Sequence, residues 1–419
     1  MTENDSSATS QAMINTIVAA GTALILLAVG TVFFVSSVRS TPVQADSVSD
    51  STPSSNPLVE GPTSSDPVGL LADAKNLVFV LADDLDWNLF NQVPRLAALK
   101  EQGITFTNHT VTDSLCCPSR VSIMRGQYIH NHKVISNIEK TGGGWPTFRD
   151  RKQENDNLPV WLANAGVTTA LFGKYLNDFP SKPKEAKYIP PGWDQWAVPI
   201  SRGDSYTGYN YTLNDNGTLV RHGNKTSDFL NDVLTNKATQ FIETAQQPFF
   251  LELSTYSPHK PAPVATRNAL KQGGTLAPRN PTYNAYGVDE PKWMKDTTPL
   301  NATRLAKADR QWRQRARSAE SIADSVDEIM AKLKETGRDK DTLIVVTTDN
   351  GYHMAERRMF KGKRTPYASD TVVPLIVIGP GVPAGITVDA MTSTIDLGPS
   401  FAQLLGATAP NWVDGRSVV

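Results

Sequence analysis

The sequence predicts an α/β fold in which a large, mostly parallel sheet is covered by helices on both faces. Short apolar runs at residues 77–81, 168–172, 249–253, 343–346 and 375–378 lack the polar alternation of a one-sided sheet, so each belongs to a strand buried on both sides. Helical patterns lie between them, at about residues 227–245 and 303–334, the second terminated by Gly337. Strands that alternate with helices need crossover connections, and crossovers join parallel strands. Residues 209–213 and 218–222, joined around Asn216-Gly217, read as a small β-hairpin inserted in this plan. No internal repeat is apparent.

The chain divides into an apolar N-terminal segment (1–39), a stalk (40–73) and a globular part (74–419). From Ser6 to Val38 there is no charged residue, and the apolar stretch at residues 14–38 is long enough to cross a bilayer as one helix. Residues 40–67 hold eight Ser and five Pro, a composition that buries too little apolar surface to offset its ordering entropy. We expect a single-pass anchor with the globular part outside the cytoplasm. Val43-Gln44-Ala45 resembles a signal-peptidase site, and cleavage there would make the protein secreted or periplasmic. Arg39 on the stalk side, with Glu3 and Asp5 on the other, would by itself put the stalk in the cytoplasm. A Ser/Pro stalk suits an exported domain better than that single Arg opposes it. Sequons at Asn4, Asn108, Asn210, Asn216, Asn224 and Asn301 matter only in a host that glycosylates.

With 41 Lys+Arg against 42 Asp+Glu, overall charge gives no case for a nucleic-acid partner. The two cysteines, Cys116 and Cys117, are adjacent, which rules out a disulfide framework and a tetrahedral zinc site made from the pair. They are either inert buried thiols or the seat of chemistry at one of them.

Open α/β sheets bind ligands beyond the carboxyl ends of their strands, so the residues just after each strand are informative. Asp83-Asp84 comes after the first run, Gly173-Lys174 after the second, Ser257-Pro258-His259 after the third and Asp349-Asn350-Gly351 after the fourth. Each cluster alone also fits an ordinary turn, cap or solvated side chain. Gathered on one edge, three aspartates and an amide offer hard oxygen donors suited to calcium or magnesium, calcium better tolerating an irregular shell. Zinc held by some of the six histidines stays open on composition alone. Pro118 suits the first turn of a helix and Arg120 lies within it, so residue 116 would sit at an electropositive helix N-terminus that attracts an anion.

The stretch Cys116-Cys117-Pro118-Ser119-Arg120, with Gly126 beyond it, resembles the signature of the formylglycine-dependent sulfatases, in which the first Cys is oxidised to formylglycine. The resemblance runs over residues 76–417 and is nearest the branch of N-acetylglucosamine-6-sulfatases and heparan sulfate 6-O-endosulfatases. Residues 128–132, 173–177, 190–193, 349–353 and 395–399 share it. It implies an alkaline-phosphatase-like sandwich, calcium held by Asp83, Asp84, Asp349, Asn350 and the modified residue 116, and Arg120 stabilising the formylglycine hydrate. Lys174, His259 and Lys363 match positions that contact sulfate or transfer protons; His130, His132, His353 and Asn177 form a second group of substrate-binding candidates. Implied partners are a sulfated sugar or aryl sulfate and, during maturation, a formylglycine-generating enzyme.

Two departures stand out. Asn177 takes the place of a His found in many members, and an amide is no general acid. The sequence stops at Val419, where relatives usually continue into a small antiparallel subdomain, so we expect that subdomain to be missing or truncated. Residues 260–301, rich in Pro, Asn and Lys, read as a long loop able to cover the cleft. The same site also admits a phosphodiester or phosphonate monoester hydrolase, and an unmodified Cys116 would admit a membrane-tethered glycan-binding protein.

Overall fold

Buried β-branched and aromatic residues in unbroken succession form strands only where a neighbour lies on each side and a helix on each face, and Asn76–Ala82 has all four. The computed structural model describes residues 74–200, 203–287 and 289–419. The anchor, stalk and cleavage site expected within residues 1–73 lie outside them; among the described residues no helix is long and apolar enough to cross a membrane.

The strands are β1 (Asn76–Ala82), β2 (Ile104–Phe106), β3 (His109–Thr110), β4 (Thr168–Gly173), β5 (Gln195–Pro199), β6 (Thr212–Asp215), β7 (Thr218–Arg221), β8 (Phe249–Ser254), β9 (Thr342–Thr348), β10 (Leu375–Ile378), β11 (Ile386–Val388) and β12 (Thr392–Ser393). Ten of them form one sheet in the order β11-β2-β10-β9-β1-β8-β4-β5-β6-β7, while β3 and β12 pair separately. The block β9-β1-β8-β4-β5 is parallel throughout. β10 runs antiparallel to both β9 and β2, which its apolar run could not reveal, because burial on two faces looks the same in either direction. The hairpin β6–β7 turns at Asn216-Gly217 as expected and extends the main sheet by pairing antiparallel with β5.

The principal helices are α1 (Cys116–Arg125), α2 (Leu158–Asn164), α3 (Leu230–Thr244), α4 (Ala302–Glu335) and α5 (Thr394–Leu404). Alternate residues of each central strand serve opposite cores. Val78, Val80, Leu251, Leu253 and Val346 pack with Leu234 of α3 and Trp312, Ala316 and Ile322 of α4. Leu77, Phe79, Phe250 and Val345 pack with Val121 of α1, Leu162 of α2 and Phe401 of α5. Gly337, at φ 72°, closes α4 in the left-handed conformation that glycine adopts without strain.

The register makes the ends of the central strands coincide. Leu81 lies opposite Ser254, Ala82 opposite Thr348, and Gly173 opposite Ser254, so the residues just beyond β1, β4, β8 and β9 emerge side by side. At the other end Asn76 pins the alignment: its amide nitrogen donates to Asp341 Oδ1 at 3.0 Å and its oxygen accepts from Phe249 N–H at 3.1 Å. Asn76→Ala leaves a buried N–H of β8 unpaired and is expected to cost about 1–3 kcal/mol in urea unfolding; an unchanged midpoint would show that the register is held elsewhere.

Candidate active site

The chain leaves β1 through Asp83 and turns at Asp84, which has φ 71°, a conformation few side chains other than Asp or Asn accept. The turn is fastened to the end of β9: Asp84 N–H donates to Asp349 Oδ1 at 3.2 Å and Leu85 N–H to Thr348 Oγ1 at 3.0 Å. Asp83, Asp84, Asp349 and Asn350 are all at most 1% exposed. Cys116, the first residue of α1, faces them with its Sγ 3.5 Å from Asp83 Oδ1. Its neighbour Cys117 bonds elsewhere, the Cys117 N–H donating to Asn137 Oδ1 at 2.9 Å.

Three cations offset this buried negative charge. Lys174 Nζ lies 2.6 Å from Asp83 Oδ2 and 3.7 Å from Asp349 Oδ2. Arg120 donates from Nε to Asp349 Oδ2 at 2.8 Å and from Nη1 to the Lys174 carbonyl at 2.8 Å and Ser254 Oγ at 2.5 Å. Lys363 Nζ contacts Asp84 Oδ1 at 2.5 Å, Cys116 Sγ at 2.6 Å and Asn350 Oδ1 at 3.2 Å. His259 stands at the rim, its Nε2 3.7 Å from Asp84 Oδ2. Because His259 Nδ1 meets the Lys260 carbonyl at 2.7 Å, that nitrogen carries the proton of the neutral ring and Nε2 is the one that takes up or gives a proton.

The charges settle accordingly. Burial alone would raise both carboxyls, but Lys174, His259 and Lys363 outweigh it at Asp83, and Lys363, His259 and Arg315 at Asp84, so both lie below the ordinary carboxylate range. Burial and Asp83 pull Asp349 upward against Arg120 and Lys174. Its oxygens nevertheless accept from Arg120 Nε and Asp84 N–H, the arrangement of an ionised carboxylate. Burial, then Asp83, pushes the Cys116 thiol up to about 12, so an unmodified thiol here is a poor nucleophile. Burial opposes the charge on Lys174 and Lys363, yet Asp83 and Asp84 respectively keep both well above the ordinary lysine value.

This donor set fits a hard divalent cation. Ligand atoms of Asp83, Asp84, Cys116 and His259 all lie within 4.8 Å of one another. The Lys363 ammonium, seated against Asp84, Asn350 and Cys116, shows that a positive charge is accepted at this point. Counting Asp349 and Asn350, which bond to Asp84, oxygen donors outnumber the one imidazole and the one thiol, which matches oxygen-ligand chemistry better than zinc chemistry.

The second group of sequence candidates is dispersed. Both ring nitrogens of His132 are bonded, to Ser122 Oγ at 3.1 Å and to Val134 N–H at 3.1 Å, and burial pushes the ring down to about 3. His130 is exposed and stacks on Tyr128 with ring centroids 5.5 Å apart. His353 Nδ1 meets Asp370 Oδ1 at 3.0 Å, and its backbone exchanges hydrogen bonds with Gly362 at 2.8 and 3.1 Å, so His353 shapes the loop that delivers Lys363. Asn177 receives Trp145 N–H on its carbonyl at 2.7 Å, while its buried Oδ1 has no protein partner.

Sequence reasoning missed Ser254, Tyr206 and Arg315. Tyr206 packs its ring 4.6 Å from that of His259, a contact with no signature along the chain. Arg315 reaches from α4 to donate to the Asp84 carbonyl at 2.6 Å and to Asp86 Oδ2 at 3.1 Å. Its place on the buried stripe with Trp312 and Ala319 was the available signal.

Residues 75–407 match the family model described as Sulfatase, and the chain belongs to that family. A Sulf-1 homologue of Caenorhabditis elegans is 32% identical over 355 residues, 82% of this chain and 48% of that protein. The N-acetylglucosamine-6-sulfatase of Homo sapiens is 33% identical over 340 residues, 79% of this chain and 61% of that protein. The chain thus spans about half the length of these relatives. Among solved structures, one in complex with its substrate D-glucosamine-2-N,6-O-disulfate superposes with a TM-score of 0.66 at 19% identity, covering 82% of this chain and 79% of the other. A phosphonate monoester hydrolase from Silicibacter pomeroyi gives 0.60 at 24%, covering 82% and 76%. The α/β sandwich expected from the sequence is therefore the fold of these proteins.

Gly173, at φ 123°, ends β4 and delivers Lys174; a Cβ there would lie 1.8 Å from the Ser254 carbonyl oxygen. Gly173→Ala must push β4 away from β8 and is expected to lower stability by about 2–3 kcal/mol, read by thermal unfolding. A variant with unchanged Tm would mean that the close approach is not needed.

Proposed function

We propose that the protein hydrolyses sulfate esters, those of sulfated sugars such as N-acetylglucosamine 6-sulfate or of aryl alcohols, using a formylglycine made from Cys116 and calcium held by Asp83, Asp84, Asp349 and Asn350. The observation that carries this reading is the seat of residue 116: at the N-terminus of α1, against Asp83 and Lys363, in a chain of the Sulfatase family. Relatives named for N-acetylglucosamine 6-sulfate support the sugar class.

As its hydrate, formylglycine has two hydroxyls on one carbon, one to attack sulfur and a second to release sulfate afterwards. Calcium would lower the pKa of the attacking hydroxyl and draw charge from the sulfuryl oxygens. Lys363, 12% exposed and nearest to residue 116, is the cation that meets the sulfate group. Arg120 and Lys174, each 3% exposed, lie behind it and keep Asp349 and Asp83 ionised and in place. His259, 26% exposed, protonates the leaving oxygen from Nε2. Three residues before Lys363, the Phe360 ring has Arg304 and Lys361 5.1 and 5.5 Å from its centroid, positive charge suited to an anionic substrate.

Cys116 is 1% exposed, so a formylglycine-generating enzyme would have to act before the domain closes over the thiol. Relatives named as extracellular sulfatases support a catalytic domain exported from the cytoplasm, anchored or secreted.

Peptide mass spectrometry of active protein is expected to show an aldehyde or its hydrate at position 116 and a thiol at Cys117, and Cys116→Ser to lower aryl sulfate turnover by more than about 10^3-fold. A free thiol at 116 in the active fraction would overturn the mechanism, and preferential turnover of an aryl phosphodiester would replace the substrate class. Calcium at 100 times its Kd is expected to stabilise the wild type by about 2.7 kcal/mol and to have no such effect on Asp349→Ala; thermal unfolding with and without chelator measures this, and equal shifts in both proteins would remove Asp349 from the ligand set.

A further inference from the structure

His259 has to present Nε2 to the leaving oxygen, yet polar contacts alone do not hold its ring there. Among the described residues the ring makes one hydrogen bond, from Nδ1 to the carbonyl of Lys260, the next residue along the chain. Asp84 Oδ2, 3.7 Å from Nε2, is too distant for a second. With its side chain 26% exposed, an imidazole tied only to its own stretch of backbone has other rotamers open to it.

Tyr206 closes off that freedom. It lies in the turn Asp204–Thr207, and its ring centroid is 4.6 Å from that of His259, the planes inclined by 48°. The same ring meets Tyr256 edge to face at 4.9 Å and 88°, and Lys174 Nζ lies 5.7 Å from its centroid. Tyr256 is 9% exposed and its carbonyl accepts from His259 N–H at 3.0 Å, so the wall and the histidine share one support. The turn is fixed as well. Leu230 N–H, at the start of α3, donates to the Gly208 carbonyl at 2.9 Å, and a Cβ on Gly208 would lie 2.9 Å from Pro263 and 3.0 Å from Phe229. The contact suits proton transfer: an imidazole that gives a proton from Nε2 while Nδ1 keeps its own is a cation until the transfer, and a tyrosine face attracts a cation at this range.

We propose that Tyr206 is a positioning residue for His259, its ring holding the imidazole with Nε2 toward Asp84 and so deciding how well the site cleaves esters of poorly activated alcohols. The inference rests on the sulfatase reading for the ester to be assayed, and not for the ring geometry.

The test uses the full matured chain and compares Tyr206→Leu, Tyr206→Phe and His259→Ala with wild type on 4-nitrophenyl sulfate, whose leaving group needs little protonation, and on phenyl sulfate, whose leaving group needs more. Tyr206→Leu is expected to lower kcat/KM for phenyl sulfate by about 10- to 100-fold and for 4-nitrophenyl sulfate by less than about threefold. Partial unfolding would lower both alike, so the ratio reports the proton donor. Tyr206→Phe keeps the ring and should stay within about threefold of wild type on both esters. Adding Tyr206→Leu to His259→Ala should cost little more, because both act on one proton transfer. Equal losses on the two esters in Tyr206→Leu, an equal loss in Tyr206→Phe, or additive losses in the double variant would each overturn the proposal. A readout without turnover is the rate at which diethyl pyrocarbonate modifies His259, followed by peptide mass spectrometry: it should rise in Tyr206→Leu and not in Tyr206→Phe, and an unchanged rate in Tyr206→Leu would also overturn it. If the wild type cleaves an aryl phosphodiester and no sulfate ester, the sulfatase reading fails, while the same variants on 4-nitrophenyl and phenyl phosphodiesters, and the same modification rates, still decide the role of Tyr206.

Discussion

Asp83, Asp84 and Asp349 bring three carboxylates to one dry point at the edge of the sheet, each at most 1% exposed. Mutual repulsion and desolvation would drive protons onto them or push them apart unless opposite charge is built in. Lys174, Arg120 and Lys363 supply it, each from a different part of the chain, and each ends within 2.8 Å of its carboxylate. Most of the architecture near the site serves to hold these six groups in register. That charge balance also makes residue 116 what it is. A thiol among carboxylates in a dry site resists ionisation, which leaves the unmodified Cys116 a poor nucleophile.

The cations are held in unlike ways. Lys174 comes after a glycine whose backbone approach to Ser254 no larger residue permits, and Arg120 projects from the second turn of α1. Lys363 sits on an irregular loop stiffened from outside: Asn284 N–H donates to the Ala355 carbonyl at 2.7 Å and Arg357 N–H to the Thr282 carbonyl at 2.7 Å. The long loop at residues 260–301 is thus a buttress for the loop that bears Lys363. It is itself tied to α3 and α4, by Arg267 to Asp232 at 2.6 Å and to Asp324 at 2.7 Å, by Lys271 to Glu320 at 3.2 Å and by Arg279 to Asp309 at 2.8 Å. Ion pairs of this exposed kind add little stability singly, and their number here serves to fix one loop geometry.

The same sheet edge separates groups that resemble one another in sequence. His259 and His132 are both histidines near polar clusters, yet one faces Asp84 across 3.7 Å at the rim and the other is sealed between Ser122 and Val134. Cys116 and Cys117 differ by one position on a helix, and a rotation of about 100° per residue turns one thiol toward the carboxylates and the other toward Asn177 and Gly144.

Local sequence determined the strands that carry the site, the helices between them, the hairpin turn at Asn216-Gly217 and the helix start at residue 116, because burial on two faces, a 3.6-residue period and turn chemistry are written in neighbouring residues. The motif spacing singled out Cys116 of the two thiols, and the strand-end rule gathered Asp83, Asp84, Lys174, His259, Asp349 and Asn350 on one edge of the sheet. The direction of β10, the partner of each lysine, the proton-bearing nitrogen of His259 and the contacts of Tyr206 and Arg315 were decided only by tertiary structure. Each depends on contacts between residues far apart in the chain, such as the 231 positions separating Arg315 from Asp84, and no local pattern encodes which distant group a buried side chain will meet.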